Sequence, residues 1–238
     1  MSPTKRISTT KKEIIQVATR MFLEKGFTDT SVKSICEQLG ISTGNLTFHY
    51  PTKEHLLAVL VEMLCDFQWA MMERAASEGQ RPLIASSLEL PAMAAVCEEN
   101  PIAKDFYLSA YSYDMTLDII RKNDTRRSQR VFAELCPDWT EKDFAAAQDL
   151  VAGIEYATLK TTSTSPALDQ RVANALDAIG LIYRAPKEDR EMRIHNVLQM
   201  DYRALGRRIL REFIDYVHEI SEEDLEALLQ RSEEGKQQ

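Results

Sequence analysis

Residues 30–50 read TSVKSICEQLGISTGNLTFHY, and this stretch decides the fold. Val32, Ile35 and Leu39 are spaced for the inner face of a short helix over 31–39, with Thr30 or Ser31 as its N-cap. Gly40 then lets the chain reverse sharply while Leu39 and Ile41 both enter the core, because it tolerates the left-handed conformation. Ser42 caps a second short helix over 43–49, and Pro51 forces a break after it. Two such helices joined by a tight turn make a helix-turn-helix. The second buries little besides Leu46 and displays Thr43, Asn45, Thr47, Phe48 and His49. An exposed aromatic ring gains nothing in water, whereas a major groove admits one such helix. There Asn reads adenine through paired hydrogen bonds, and Thr or Phe meets a thymine methyl. Spacing alone equally fits an ordinary helical hairpin with a solvated face.

Working outward, almost every segment repeats its apolar residues at a period of three to four, and no run alternates at period two. Upstream, Ile14, Val17, Ala18, Met21 and Phe22 form one stripe of a helix over 10–26, stopped by Gly26. Downstream, Thr52 caps a long helix to Ser77, and Gly79 with Pro82 marks its end. Further helices are predicted over 83–98 (kinked at Pro91), 102–112, 114–135, 140–162, 168–184, 187–219 and 221–232. The polar run Thr161 to Pro166 is a loop. With only 8 Gly and 8 Pro in 238 residues, few tight turns are available, and long helices are expected. The reading is an all-α fold: an N-terminal three-helix helix-turn-helix domain over 1–54, and a larger helical domain over 55–238.

Charge divides at the same boundary. The whole chain carries a net charge of −8, which by itself argues against a polyanionic partner. Residues 1–54, however, hold eight Lys or Arg against five acids, a net +3, and the remainder carries −11. A small basic head on a large acidic body points to a polyanion bound by the head. The apolar share of 44% and charged share of 28% exclude disordered, collagenous and disulfide-rich chains. Cys36, Cys65, Cys97 and Cys136 are scattered, without a Cys-x-x-Cys pair. They read as small buried hydrophobes in a reducing cytoplasm, with no metal site or cofactor implied. The N-terminus MSPTKRISTTKK lacks the apolar region of a signal peptide, and no apolar run is long enough for a membrane span.

Several runs together carry a family resemblance: Gly26-Phe27, Thr30-Ser31-Val32, Ile35-Cys36, Leu39 through Leu46, and Tyr50-Pro51-Thr52-Lys53-Glu54 with Leu56-Leu57. In identity and spacing they closely resemble the TetR family of bacterial transcription regulators, over about residues 10–60. The resemblance implies that Thr43 to His49 is the recognition helix and that Lys53 binds a phosphate. Candidate DNA-contacting residues are Thr30, Lys33, Ser42, Thr43, Gly44, Asn45, Thr47, Phe48, His49 and Lys53. The chain departs from the family where it has Thr47 and His49 in place of tyrosines that commonly touch the DNA backbone. Thr47 still offers a donor to phosphate, and so does a suitably oriented His49.

The resemblance also implies a homodimer on a palindromic double-stranded operator, and a small effector bound by the C-terminal domain. Two recognition helices about 34 Å apart would read successive major grooves. In the helix over 140–162, Phe144, Ala147, Val151, Ile154 and Thr158 form one stripe suited to dimer packing. The same stripe equally suits the protomer's own core. Met63, Phe67, Met71, Met93, Phe106, Tyr107, Tyr111 and Tyr113 are candidates for a mostly apolar effector pocket, since Met adapts to irregular cavities and Tyr joins an apolar body to a polar tip. Such residues also serve simply as core. Catalysis finds no foothold: a phosphate loop and His-Glu-x-x-His are absent from the sequence, and the Gly-x-Ser-x-Gly match at Gly40 to Gly44 joins two helices, not the strand and helix of a nucleophile elbow. The competing reading is a helical binding or interaction protein without DNA affinity. It would use the C-terminal stripe Ile194, Val197, Leu198, Leu205, Ile209, Phe213 and Val217.

Overall fold

The computed structural model describes residues 3–77 and 82–234, and every element among them is a helix. The head comprises α1 (Pro3–Lys25), α2 (Val32–Leu39) and α3 (Thr43–His49). Ser31 is the N-cap of α2: its hydroxyl accepts from Ser34 N at 3.0 Å, and the Ser34 hydroxyl accepts from Ser31 N at 3.0 Å. Gly40 ends α2 at φ 65°, in the left-handed region that the turn requires. Ser42 Oγ caps α3 by accepting from Asn45 N at 3.2 Å. Ile14, Ile15, Phe22, Phe27, Ile35 and Leu46 close under these helices with almost no exposure. Each contributes about 1.5–3 kcal/mol by leaving water.

Among the described residues, nine further helices build the body: α4 (Lys53–Ser77), α5 (Pro82–Glu99), α6 (Pro101–Ser112), α7 (Asp114–Phe132), α8 (Glu141–Leu159), α9 (Leu168–Ile182), α10 (Lys187–Leu198), α11 (Tyr202–Glu219) and α12 (Glu222–Glu234). Helix α4 crosses the expected boundary at residue 54 without a break, and Leu56, Leu57 and Leu60 on it belong to the core that runs from head to body. Pro91 lies inside α5 without ending it. Gly206 lets α11 press against α5, where a Cβ would stand 2.4 Å from the Ala92 carbonyl oxygen. The amide of Gln16 in α1 donates to the His218 carbonyl at 3.0 Å, tying the head to the end of α11.

One helix expected over 187–219 is two. The Asp201 side chain accepts from Ala204 N at 2.9 Å and starts α11 afresh, a capping interaction that apolar periodicity does not register. The expected boundary at Gly79 lies outside the described residues. All four cysteines are free and buried, and burial raises the thiol pKa of each. Among the described residues, no helix is long and apolar enough to cross a membrane.

Candidate nucleic-acid interface and effector cavity

Helix α3 buries Leu46 alone, so its remaining side chains stand outside the head. Thr43, Gly44, Asn45 and Thr47 are exposed, and Phe48 is 79% exposed. Thr47 Oγ1 donates to the Thr43 carbonyl at 3.0 Å, which commits its hydroxyl proton to the helix backbone. Half-buried His49 packs edge-on against Phe48, with ring centroids 5.2 Å apart. Burial, and then the Lys11 charge, lower its pKa, so the imidazole is neutral near pH 7. Lys33 is exposed and holds Glu37 only loosely at 3.8 Å. Such a surface pair is worth little and exchanges readily for a phosphate. Ser42, Thr43, Gly44, Asn45, Thr47, Phe48 and Lys33 are thus exposed on the helix-turn-helix, and His49 is half-buried.

Two expected contact residues do something else. Thr30 is 1% exposed, and its hydroxyl donates to the Gly26 carbonyl at 2.7 Å. It closes the α1–α2 turn and is withdrawn from any surface. Lys53 Nζ donates to the carbonyls of Phe27 at 2.8 Å and Thr30 at 2.9 Å, and sits 4.1 Å from the Phe27 ring centre. Desolvation lowers its pKa. This ammonium pins the start of α4 to the α1–α2 turn and is not freely presented to a phosphate.

The same turn is held from the body by α6. Asp105 accepts from Thr28 N at 2.8 Å and from Thr28 Oγ1 at 2.5 Å, and Tyr113 lies edge-on to Phe27 with centroids 5.6 Å apart. Asp105 was not legible as functional, because one acid at a helical period reads as a solvated face.

Inside the body lie two adjoining cavities. The outer one, about 300 Å³, sits between α4, α5 and α11. Met71, Met93, Val96 and Ile209 line it, with Arg208 among its wall residues. The inner one, about 110 Å³, reaches α6 to α10. Tyr107 and Met93 face both, and Tyr111 faces the inner one. Met63 and Phe106 are fully buried in the core, away from either cavity. Phe67 packs on Phe213 and Tyr216, with centroids 5.6 and 5.7 Å away. Tyr113 belongs to the contact with the head. These four expected pocket residues therefore line neither cavity.

The walls also hold charges that the sequence reading passed over. The Arg127 guanidinium pairs with both Glu89 oxygens, and with Asp124 at 3.2 Å. Asn123 donates to Asp124 at 3.1 Å and accepts from Trp69 Nε1 at 2.6 Å. Tyr111 Oη donates to Glu155 Oε2 at 3.0 Å. Burial and the neighbouring acids push the Glu155 carboxyl up to about 8, and burial raises Asp124 despite Arg127. The i, i+3 spacing of Asp124 and Arg127 was the one sequence signal of this group.

The stripe proposed for dimer packing is corrected. Phe144, Ala147, Val151 and Thr158 are buried in the protomer's own core, and Ile154 packs against it. The C-terminal stripe turns inward likewise: Val197, Phe213 and Val217 are buried, Ile194, Leu198 and Ile209 pack on the core, and Leu205 lines the outer cavity.

Residues 14–60 match the family of bacterial regulatory proteins, tetR family. The likeness to that family lies in the N-terminal head. One stretch is 33% identical over 79 residues to the HTH-type transcriptional regulator RutR of Escherichia coli K12, covering 33% of this chain and 37% of that protein. Another is 27% identical over 78 residues to the HTH-type transcriptional repressor KstR2 of Mycobacterium tuberculosis, covering 33% and 39% respectively. The chain thus matches well under half the length of these relatives. A solved gamma-butyrolactone receptor (ArpA-like protein) aligns over 87% of this chain and 98% of its own, at 17% identity and a TM-score of 0.44.

Proposed function

We propose that this protein is a sequence-specific DNA-binding transcriptional regulator, a homodimeric repressor released from its operator by a small molecule held in the body. One observation carries this reading. Helix α3 anchors itself through Leu46 alone and leaves Asn45, Thr43 and a 79% exposed Phe48 accessible. A ring left in water has no folding role, and Asn beside it is the side chain that reads adenine. The net +3 of residues 1–54, the family match over residues 14–60, and the regulator and repressor names of relatives that match about a third of the chain support the same reading.

Dimerisation is assigned to the outer face of α8, opposite the stripe that turned inward. Ala146, Gly153 and Ala157 are exposed there around Leu150, which is 62% exposed. Release is assigned to α6, which lines the inner cavity through Tyr111 and grips the head through Asp105. A ligand that shifts α6 displaces the α1–α2 turn, and with it the recognition helix.

Selection of bound duplexes from a random library, followed by affinity measurement on the winner, tests the reading. Asn45→Ala is expected to relax preference at one base position by about 1–3 kcal/mol while keeping nonspecific binding. Failure to enrich any sequence would remove the regulator assignment.

A further inference from the structure

The inner cavity has a chemistry that a generic apolar site does not need. Three carboxylates from three helices converge on it, Glu89 of α5, Asp124 of α7 and Glu155 of α8, and Arg127 is shared between the first two. Glu155 accepts from the Tyr111 hydroxyl and, among the described residues, forms no ion pair. A second wall residue points independently to a ligand. Arg193 of α10 is 9% exposed and lines the same cavity, and its Nε and Nη2 have no hydrogen-bond partner among the described residues. A buried guanidinium with idle donors asks for an acceptor, and a half-buried carboxyl set among other acids favours a cation beside it. Val151, Leu176 and Ile179 give the chamber an apolar wall as well.

Resting on the effector reading above, we infer that the inner cavity takes a small organic cation, a primary amine or guanidine on a short apolar stem, with a carbonyl-type oxygen at its other end. The cationic head replaces the missing partner of Glu155, beside Asp124, and the oxygen accepts from Arg193. The groups facing Glu155 are Tyr111 from α6, Asp124 and Arg127 from α7, Glu89 from α5 and Tyr183 following α9. Burial among these acids keeps the Glu155 carboxyl protonated at neutral pH, since it titrates at about 8. An ammonium seated against it expels that proton, so binding and proton release are linked.

The test uses the full chain and ω-amino amides of four, six and eight carbons, each compared with its ω-hydroxy amide and its ω-carboxy amide. Calorimetry and thermal shift are the readouts. At least one amino amide is expected to bind about tenfold or more tightly than its neutral and anionic matches. Near pH 7 it should release close to one proton, read from heats in buffers of different ionisation enthalpy. Glu155→Gln should abolish the preference for the amine. Arg193→Met should leave the amino amide no better than the plain alkylamine. Equal or tighter binding of the hydroxy or carboxy compounds, or no heat from any amino amide, overturns the inference. DNA affinity of the ligand-free parent is measured beside it, so a protein that binds amines without DNA sinks the regulator reading alone.

Discussion

Lys53 shows how one side chain changes meaning between sequence and structure. At the start of α4, beside a recognition helix, a lysine reads as a phosphate ligand. In the fold its ammonium donates to two carbonyls of the α1–α2 turn and faces the Phe27 ring. Lys53→Met is therefore expected to lower stability by about 1–3 kcal/mol, because those carbonyls lose a charged donor. DNA affinity should weaken through a looser head, with the salt dependence of binding unchanged. Urea denaturation paired with a salt titration distinguishes the roles: unaltered stability with a slope reduced by about one unit would make Lys53 a phosphate ligand after all. Much of the head was legible at this scale. Ser31, Gly40, Ser42 and Leu46 do locally what their residue types dictate. Thr30 was misread because a Thr at a helix entrance can cap outward or close the turn inward, and only packing against Gly26 decides.

Helix α6 is the element that joins the two halves. It carries Tyr107 and Tyr111 to the cavities and Asp105 to Thr28 of the head, all within two turns of one helix. Helix α4, about 38 Å long, also reaches from the α1–α2 turn into the body and holds that turn through Lys53, so the grip on the turn comes from both. Asp105→Ala removes the α6 grip while leaving the Lys53 pin. The expected outcome is ligand-free DNA affinity within a few fold of the parent, with ligand binding retained and its effect on DNA affinity lost. Full ligand response in this variant would return the coupling to α4. Helix α8 was legible in extent and misread in orientation, because both of its faces are periodic. Phe144, Ala147 and Val151 turned inward, and Ala146, Leu150, Gly153 and Ala157 were left outside. At Gly153 an added Cβ meets nothing within 4 Å in the protomer. Gly153→Glu should therefore keep the fold and its thermal midpoint while splitting the dimer, as read by light scattering at micromolar concentration. An unchanged dimer mass would place the interface on another helix.

For the molecule as a whole, the acids inside the body set how stability responds to pH. Periodicity and composition made the all-helical architecture legible, but not this polar interior. Glu89, Asp124, Arg127 and Glu155 each sit where a surface residue is equally plausible, and only the packing of α5, α7 and α8 brings them together. The sign of the effect follows from the raised carboxyls. An unfolded Glu titrates near its ordinary 4.5, whereas folded Glu155 holds its proton up to about 8. Between those values the folded state binds more protons than the unfolded one, so unfolding free energy falls as pH rises, and the loss levels off above 8. Asp124 acts in the same direction at lower pH. His49 opposes it, since its lowered pKa makes the folded state bind fewer protons around its ordinary 6.5. Comparing the parent with Glu155→Gln cancels the terms they share. The parent is expected to lose on the order of a few kcal/mol between pH 5 and pH 8 through this group. Glu155→Gln should be flatter over that range and the more stable of the two at pH 8, in chemical denaturation at matched ionic strength. Parallel curves for the two proteins would mean that the Glu155 carboxylate is already charged in the folded state, compensated by a partner that its Tyr111 contact does not supply.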